Sequence, residues 1–148
     1  MDTNKLPHPD DFRHSMEVQL RFNDIDILGH LNNTRYFSLY DTGKAYYFEA
    51  VHGVRDWRKV ETVIANVNCT YVAPIFFGEK IKVATRCLWI GEKSFCLQQI
   101  LYDDKNEVRS VCETVMVSFD PEKKCSMALP DHWRDAFTDF EIFEINKR

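Results

Sequence analysis

The sequence predicts an α+β domain in which one long helix is wrapped by a curved antiparallel sheet of about five strands. A single stretch of helical periodicity, Asn33 to His52, follows one strand-like segment. About sixty residues of alternating apolar and polar positions come after it, and their connections are short enough to demand antiparallel neighbours.

The first strand is read at Met16 to Phe22, where Met16, Val18, Leu20 and Phe22 alternate with Glu17, Gln19 and Arg21. The segment Asn23 to Leu31, NDIDILGHL, breaks that alternation and reads as a loop. Within the helix, Tyr36, Tyr40, Tyr47 and Val51, with Phe37 and Phe48 beside them, recur at spacings of three, four or seven. Asn32 reads as its N-cap, Leu31 and Tyr36 as a hydrophobic staple, and Gly53 as the C′ residue. Gly43, in mid-helix, costs about 1 kcal/mol relative to Ala and so points to a close backbone approach.

After Asp56 to Lys59 the chain turns β-like. One strand face reads Val63, Ala65, Val67, Cys69, Tyr71; the next reads Ile81, Val83, Thr85, Cys87, Trp89. Phe95, Leu97, Gln99 and Leu101 follow, then Val111, Glu113, Val115, Val117 and Phe119. Pro74 to Gly78, Gly91-Glu92 and Asp103 to Asn106 carry turn chemistry. A short helix is expected near Asp131 to Phe137.

A chain of 148 residues, 45% apolar, fits one domain with a dense core, residues 1–148 as a whole. Its five cysteines are odd in number and form no C-x-x-C pair. They read as reduced thiols, four of them acting as small core hydrophobes. No apolar run approaches a membrane span and the first fifteen residues contain no signal-peptide core, so a cytoplasmic protein is expected. A formal charge of -4 argues against a general nucleic-acid binder. No metal is expected, since the His and Cys residues show no ligand spacing.

Chemistry is densest from Asp24 to Tyr36, where two carboxylates, an imidazole and two amides meet at a strand-to-helix junction. The first N–H groups of a helix have no intrahelical partner and can bind a carbonyl oxygen that becomes an oxyanion. A carboxylate opposite such a donor can attack a carbonyl or activate a water, which nominates Asp26 facing the N–H of Asn33. The residues alone are equally consistent with Asx turns at Asp24 and Asp26 and a simple cap at Asn32.

The string D-x-D-x-x-G-H-x-N-N-x-x-Y, followed by an aromatic helix and then Ala65-Asn66, Tyr71, Pro74 and Gly78, resembles the hotdog-fold thioesterases. It is most similar to the 4-hydroxybenzoyl-CoA thioesterase-like and acyl-carrier-protein thioesterase branches. That resemblance implies a hotdog fold and an acyl thioester hydrolase, acting on an acyl-CoA or acyl-carrier-protein substrate with no further cofactor. It places the catalytic carboxylate on Asp26 and the oxyanion N–H on Asn33, and matches His30 and Asn32 to the carrier-protein branch. Leu28 departs from that branch, which has an amide there.

For substrate contact the resemblance implies Tyr36, and Asp41 stands where the family often has a helix Glu. Lys93 and Ser94 resemble a hairpin that meets the nucleotide of coenzyme A, though a solvated hairpin explains them equally well. A homodimer or homotetramer with shared sites is also implied. Two alternatives stay open, a hotdog hydratase or dehydratase and a non-catalytic acyl-CoA-binding module. The runs expected of the former are missing, and Asp26 speaks against the latter.

Overall fold

The structure, a computed structural model, describes residues 5–53 and 61–148. Strand β1 (His14–Val18) leads through a loop into helix α1 (Arg35–His52), and four strands follow: β2 (Thr62–Tyr71), β3 (Ile81–Ile90), β4 (Ser94–Asp103) and β5 (Val108–Asp120). Two-residue strands β6 (Cys125–Ser126) and β7 (Asn146–Lys147) flank helix α2 (Asp131–Phe140). The five longer strands lie in the order β1-β3-β4-β5-β2, all antiparallel. This is the architecture expected from the sequence, a curved sheet of five main strands around one long helix.

Helix α1 buries Tyr36, Tyr40, Gly43, Lys44, Tyr47 and Phe48, one stripe at helical spacing, against the concave side of the sheet. Buried tyrosine hydroxyls need partners, and they have them: Tyr40 donates to Ser110 Oγ over 2.7 Å, and Tyr47 donates to Glu141 Oε1. The close approach at Gly43 is real, because a Cβ there would stand 2.8 Å from both methyls of Val83. Gly53 ends the helix at φ 67°, the left-handed conformation expected of its C′ position.

Several boundaries and faces differ from the sequence reading. β1 begins at His14 and stops at Val18, so Leu20 lies beyond the strand, and Phe22 starts a 3-10 turn with its ring exposed. Helix α1 starts two residues later than read, at Arg35, with Thr34 at the N-cap position and no side-chain cap bond. A bulge at Ala65 puts Ile64, not Val63, on the face shared with Val67, Cys69 and Tyr71. A second bulge at Leu88 turns Ile90 inward opposite Phe95 and sends Trp89 outward under Arg148.

On β5 the fully buried row is Ser110, Cys112, Thr114, Met116 and Ser118, while Val115 and Val117 are only half-buried. Of this inward row, Ser110 takes the hydrogen bond of the buried Tyr40 hydroxyl, while Tyr47 finds its partner in Glu141, outside β5. The convex side is covered in its middle by Phe12 and Leu6 on Ala84, Ile100, Tyr102 and Val111. That cover buries both faces of β4. The expected short helix is α2, and it extends to Phe140. The break read at Asp56 to Lys59 lies outside the described residues. Among the described residues no helix is long and apolar enough to cross a membrane.

Candidate active site

The loop between β1 and α1 is tied to itself. Asp24 is buried, accepts the Arg21 N–H at 2.8 Å, and has Arg21 and Arg35 nitrogens at 3.6 and 3.9 Å. Its carbonyl accepts the N–H of Asn32 at 2.9 Å, and a bridge pairs Ile25 with Leu31. Asp24 therefore closes the base of a small hairpin.

Asp26 to Gly29 forms the tip, with the Gly29 N–H donating to Asp26 O at 3.0 Å and Gly29 at φ 85°. That left-handed backbone suits glycine. The Asp26 carboxylate is held at both oxygens: Leu28 N–H donates to Oδ1 at 2.8 Å, and Asn32 Nδ2 donates to Oδ2 at 3.1 Å. Two donors leave about half of the acceptor sites of an ionised carboxylate unused.

Asn32 is in turn fixed, because its Oδ1 accepts the Thr34 N–H at 2.9 Å and the Thr34 hydroxyl at 2.6 Å. With Oδ1 committed to Thr34, Nδ2 must face Asp26. The expected capping role is thus a turn bond one residue outside the helix. The N–H of Asn33 has no hydrogen-bond partner among the described residues, and its carbonyl accepts the Tyr71 hydroxyl at 3.0 Å.

Asp26 and Asn33, though not Asn32, line a cavity of about 370 Å3. Asp26, His30, Asn33 and Tyr36 lie on one side, and the end of β2 with residues 72–74 forms the other. Tyr36 packs edge-on against Tyr71 with centroids 4.8 Å apart, and burial followed by the neighbouring Tyr71 pushes its hydroxyl up to about 12. His30 rests its ring edge-on against Phe76 at 6.4 Å, with Nδ1 3.4 Å from Leu31 O, so the carboxylate's side-chain partner is Asn32 rather than His30.

Three nominated residues stand apart from the cavity. Asp41 is exposed and paired with Lys44 Nζ at 3.0 Å. Lys93 and Ser94 sit at the far end of the sheet: Ser94 pairs with Val117, seven residues along β5 from Ser110, the partner of Tyr71. At about 3.3 Å per residue that is roughly 23 Å. The wall of Tyr71 and residues 72–74 carries no signal of its own in the sequence. The sequence quoted Tyr71 and Pro74 only as spacing marks, and the fold is what swings them opposite Asp26.

The model of the thioesterase-like superfamily matches residues 20–137. The chain belongs to the thioesterase-like superfamily. Membership makes it a thioester-hydrolysing enzyme, and solved structures of thioesterases share its fold. A thioesterase from Thermus thermophilus, complexed with coenzyme A and Zn, is 24% identical and superposes with a TM-score of 0.84, covering 92% of this chain and 99% of that one. A 1,4-dihydroxy-2-naphthoyl-CoA thioesterase from Synechocystis, Slr0204, is 15% identical with a TM-score of 0.75 over 84% and 95% of the two chains. YsmA of Bacillus subtilis is 22% identical over 119 residues, 80% of this chain and 81% of that protein. These likenesses identify the curled sheet and helix of this thioesterase-like protein as a hotdog fold.

Proposed function

We propose that this thioesterase hydrolyses an acyl-CoA thioester at the 370 Å3 cavity, with Asp26 as the reacting carboxylate and the Asn33 N–H receiving the carbonyl oxygen. One observation carries the reading: a carboxylate with both oxygens held and a peptide N–H with no partner among the described residues line the same cavity. A donor already in place costs no reorganisation when charge develops on the thioester oxygen, and its loss typically costs about 100-fold to 1000-fold in kcat.

Two routes fit this geometry. Asp26 attacks the carbonyl carbon, expelling the thiolate and leaving an anhydride that water opens, or it takes a proton from a water that attacks directly. Tyr36 and Tyr71 offer an aromatic surface to the acyl group. His30, at the rim, contributes to water or substrate placement. Asp41, Lys93 and Ser94 lie outside this chain's cavity, so Asp41 serves as a polar helper and the hairpin meets the nucleotide only if a second copy of the chain brings them to the site.

Coenzyme A is favoured as the carrier because the Thermus thioesterase is complexed with it and the Synechocystis relative is named for an aryl-CoA substrate. The test is thiol release from a panel of acyl-CoA and acyl-carrier-protein thioesters, with Asp26→Asn as control. A single turnover in 18O water separates the routes, since label enters the Asp26 side chain only if it is the nucleophile. No turnover on any thioester would overturn the reading.

A further inference from the structure

Residues 72–79 leave the sheet at Tyr71, the first three of them forming one wall of the cavity, and most of what holds them comes from one residue of β5. The carbonyl of Arg109 accepts the N–H groups of Val72 and Ala73 at 2.9 and 3.1 Å. Its guanidinium, 12% exposed, donates from Nη1 to Pro74 O at 2.7 Å and to Glu79 Oε2 at 3.0 Å. Nη2 donates to Glu79 Oε1 at 3.1 Å and to Asp103 Oδ2 at 2.8 Å.

A planar guanidinium matches a carboxylate in this forked geometry, which a lysine ammonium cannot reproduce. Burial pushes the Glu79 carboxyl up, but the bonds from Arg109 and from the Phe76 N–H outweigh it and hold Glu79 below the usual carboxylate range. The fork is therefore charged on both sides.

The consequence reaches the opposite wall. Glu79 Oε2 also accepts the Phe76 N–H at 3.0 Å, and Phe76 is the ring on which His30 rests. Between Pro74 and Phe76 lies Ile75, fully buried, whose carbonyl accepts the Leu31 N–H at 2.7 Å. Leu31 is bridged to Ile25, next to Asp26. Arg109 thus fixes the wall formed by residues 72–74 directly, and fixes the Asp26 hairpin through Ile75.

We propose that Arg109, forked onto Glu79 and the Pro74 carbonyl, is a positioning residue that sets the distance between the two walls of the cavity, and so the seat of the thioester against Asp26. This rests on the cavity being the hydrolytic site. Misplacing a bound group by about 1 Å can cost about 100-fold in rate. A positioning role therefore reads out in kcat, whereas a role confined to folding does not.

The test compares Arg109→Lys, Glu79→Gln and Asp103→Asn. The first two break the fork. The third cuts the other arm of Arg109, at the β4–β5 turn, and spares the bonds to Pro74 and Glu79. We expect kcat to fall about 10-fold to 100-fold in the fork variants, with KM changing less, and to stay within about twofold in Asp103→Asn. Amide hydrogen exchange supplies a readout free of activity: exchange at Leu31 should speed up at least 10-fold in Glu79→Gln and stay unchanged in Asp103→Asn. Native kcat in both fork variants, or a kcat loss in all three that only follows their melting temperatures, would overturn the proposal. If the parent protein cleaves no thioester, the functional reading fails, while the exchange result still decides whether Arg109 sets the wall.

Discussion

Asn32 Nδ2 lies 3.1 Å from Asp26 Oδ2, and the same carboxamide holds Thr34 through Oδ1 at 2.9 Å. One side chain thereby connects the carboxylate of the hairpin tip to the entry of helix α1. The orientation of Asp26 and the path of the backbone through Asn33 are set together.

Asp26→Asn should leave the fold intact, because the side chain lies at a hairpin tip and contributes nothing to the core. Its kcat should drop at least 100-fold, the usual scale for loss of a base or nucleophile. Steady-state hydrolysis of an acyl-CoA, with circular dichroism to check folding, measures both. A folded variant turning over at the parental rate would remove Asp26 from the chemistry.

Asn32→Ala deletes the donor to Asp26 and the acceptor for Thr34 at once. Stability should fall by about 1 kcal/mol, typical of a lost hydrogen bond, and kcat should fall with it as Asp26 and the Asn33 N–H lose their alignment. Melting temperature and turnover are measured on the same preparation. A lower melting temperature with parental turnover would leave Asn32 as a turn residue only.

Helix α1, its Gly53 end and the loop from Asp24 to Tyr36 were legible because each depends largely on neighbours within a few residues, and Gly43 was legible because a mid-helix glycine costs helix stability whatever it packs against, here Val83. The strand faces were legible only up to the bulges. Ile64 and Val63 are both apolar, as are Trp89 and Ile90, so alternation alone cannot tell which one turns inward after an inserted residue. On β5 Ser110 turns inward to partner Tyr40, a pairing 70 residues apart in sequence that alternation of apolar residues does not show. The cavity's second wall stayed hidden for the same reason, since Arg109 reaches Pro74 and Glu79 across 35 and 30 residues.

Cys69 stands directly across from Cys112, with the Ser110 hydroxyl 3.5 Å from its sulfur, and the facing Cys112 thiol holds the Cys69 thiol below its ordinary pKa despite partial burial. In a Cys125→Ser background, which removes the exposed thiol, alkylation of Cys69 by iodoacetamide should rise through an inflection below that of a free thiol. Cys112→Ala should move that inflection toward the free-thiol value of about 8.5. An inflection that stays in place would show that Cys112 is not its cause.

His52 stacks on Trp133 at 3.9 Å, its Nε2 is buried without a hydrogen-bond partner among the described residues, and burial followed by repulsion from His132 lowers its pKa from 6.5 to about 4. The fold holds His52 neutral, so as pH drops from 6.5 to about 4 the unfolded chain takes up the proton first and stability is lost. His14, lowered by burial, adds in the same direction. Glu141, raised by burial, acts oppositely and loses its contribution as pH rises through its folded value. His52→Phe keeps a ring against Trp133 and removes the titration, so its melting temperature should fall less between pH 7 and pH 5 than the parent's. An equal fall would place the acid sensitivity elsewhere.

Strand β2 is an outer strand of the sheet, and Val63, Ile64, Val67 and Tyr71 on it are 44, 49, 39 and 44% exposed. An apolar edge strand of ten residues facing water calls for cover, and pairing edge to edge with a second copy would supply it. Because Tyr71 stands at the end of this strand and also walls the cavity, losing the partner should disturb the site as well as the edge. Specific activity should therefore decline on dilution in step with the loss of dimer followed by sedimentation, and should recover on reconcentration. A monomer with full specific activity at working concentration would mean that one chain holds a complete site, and that the exposed face of β2 has some other use.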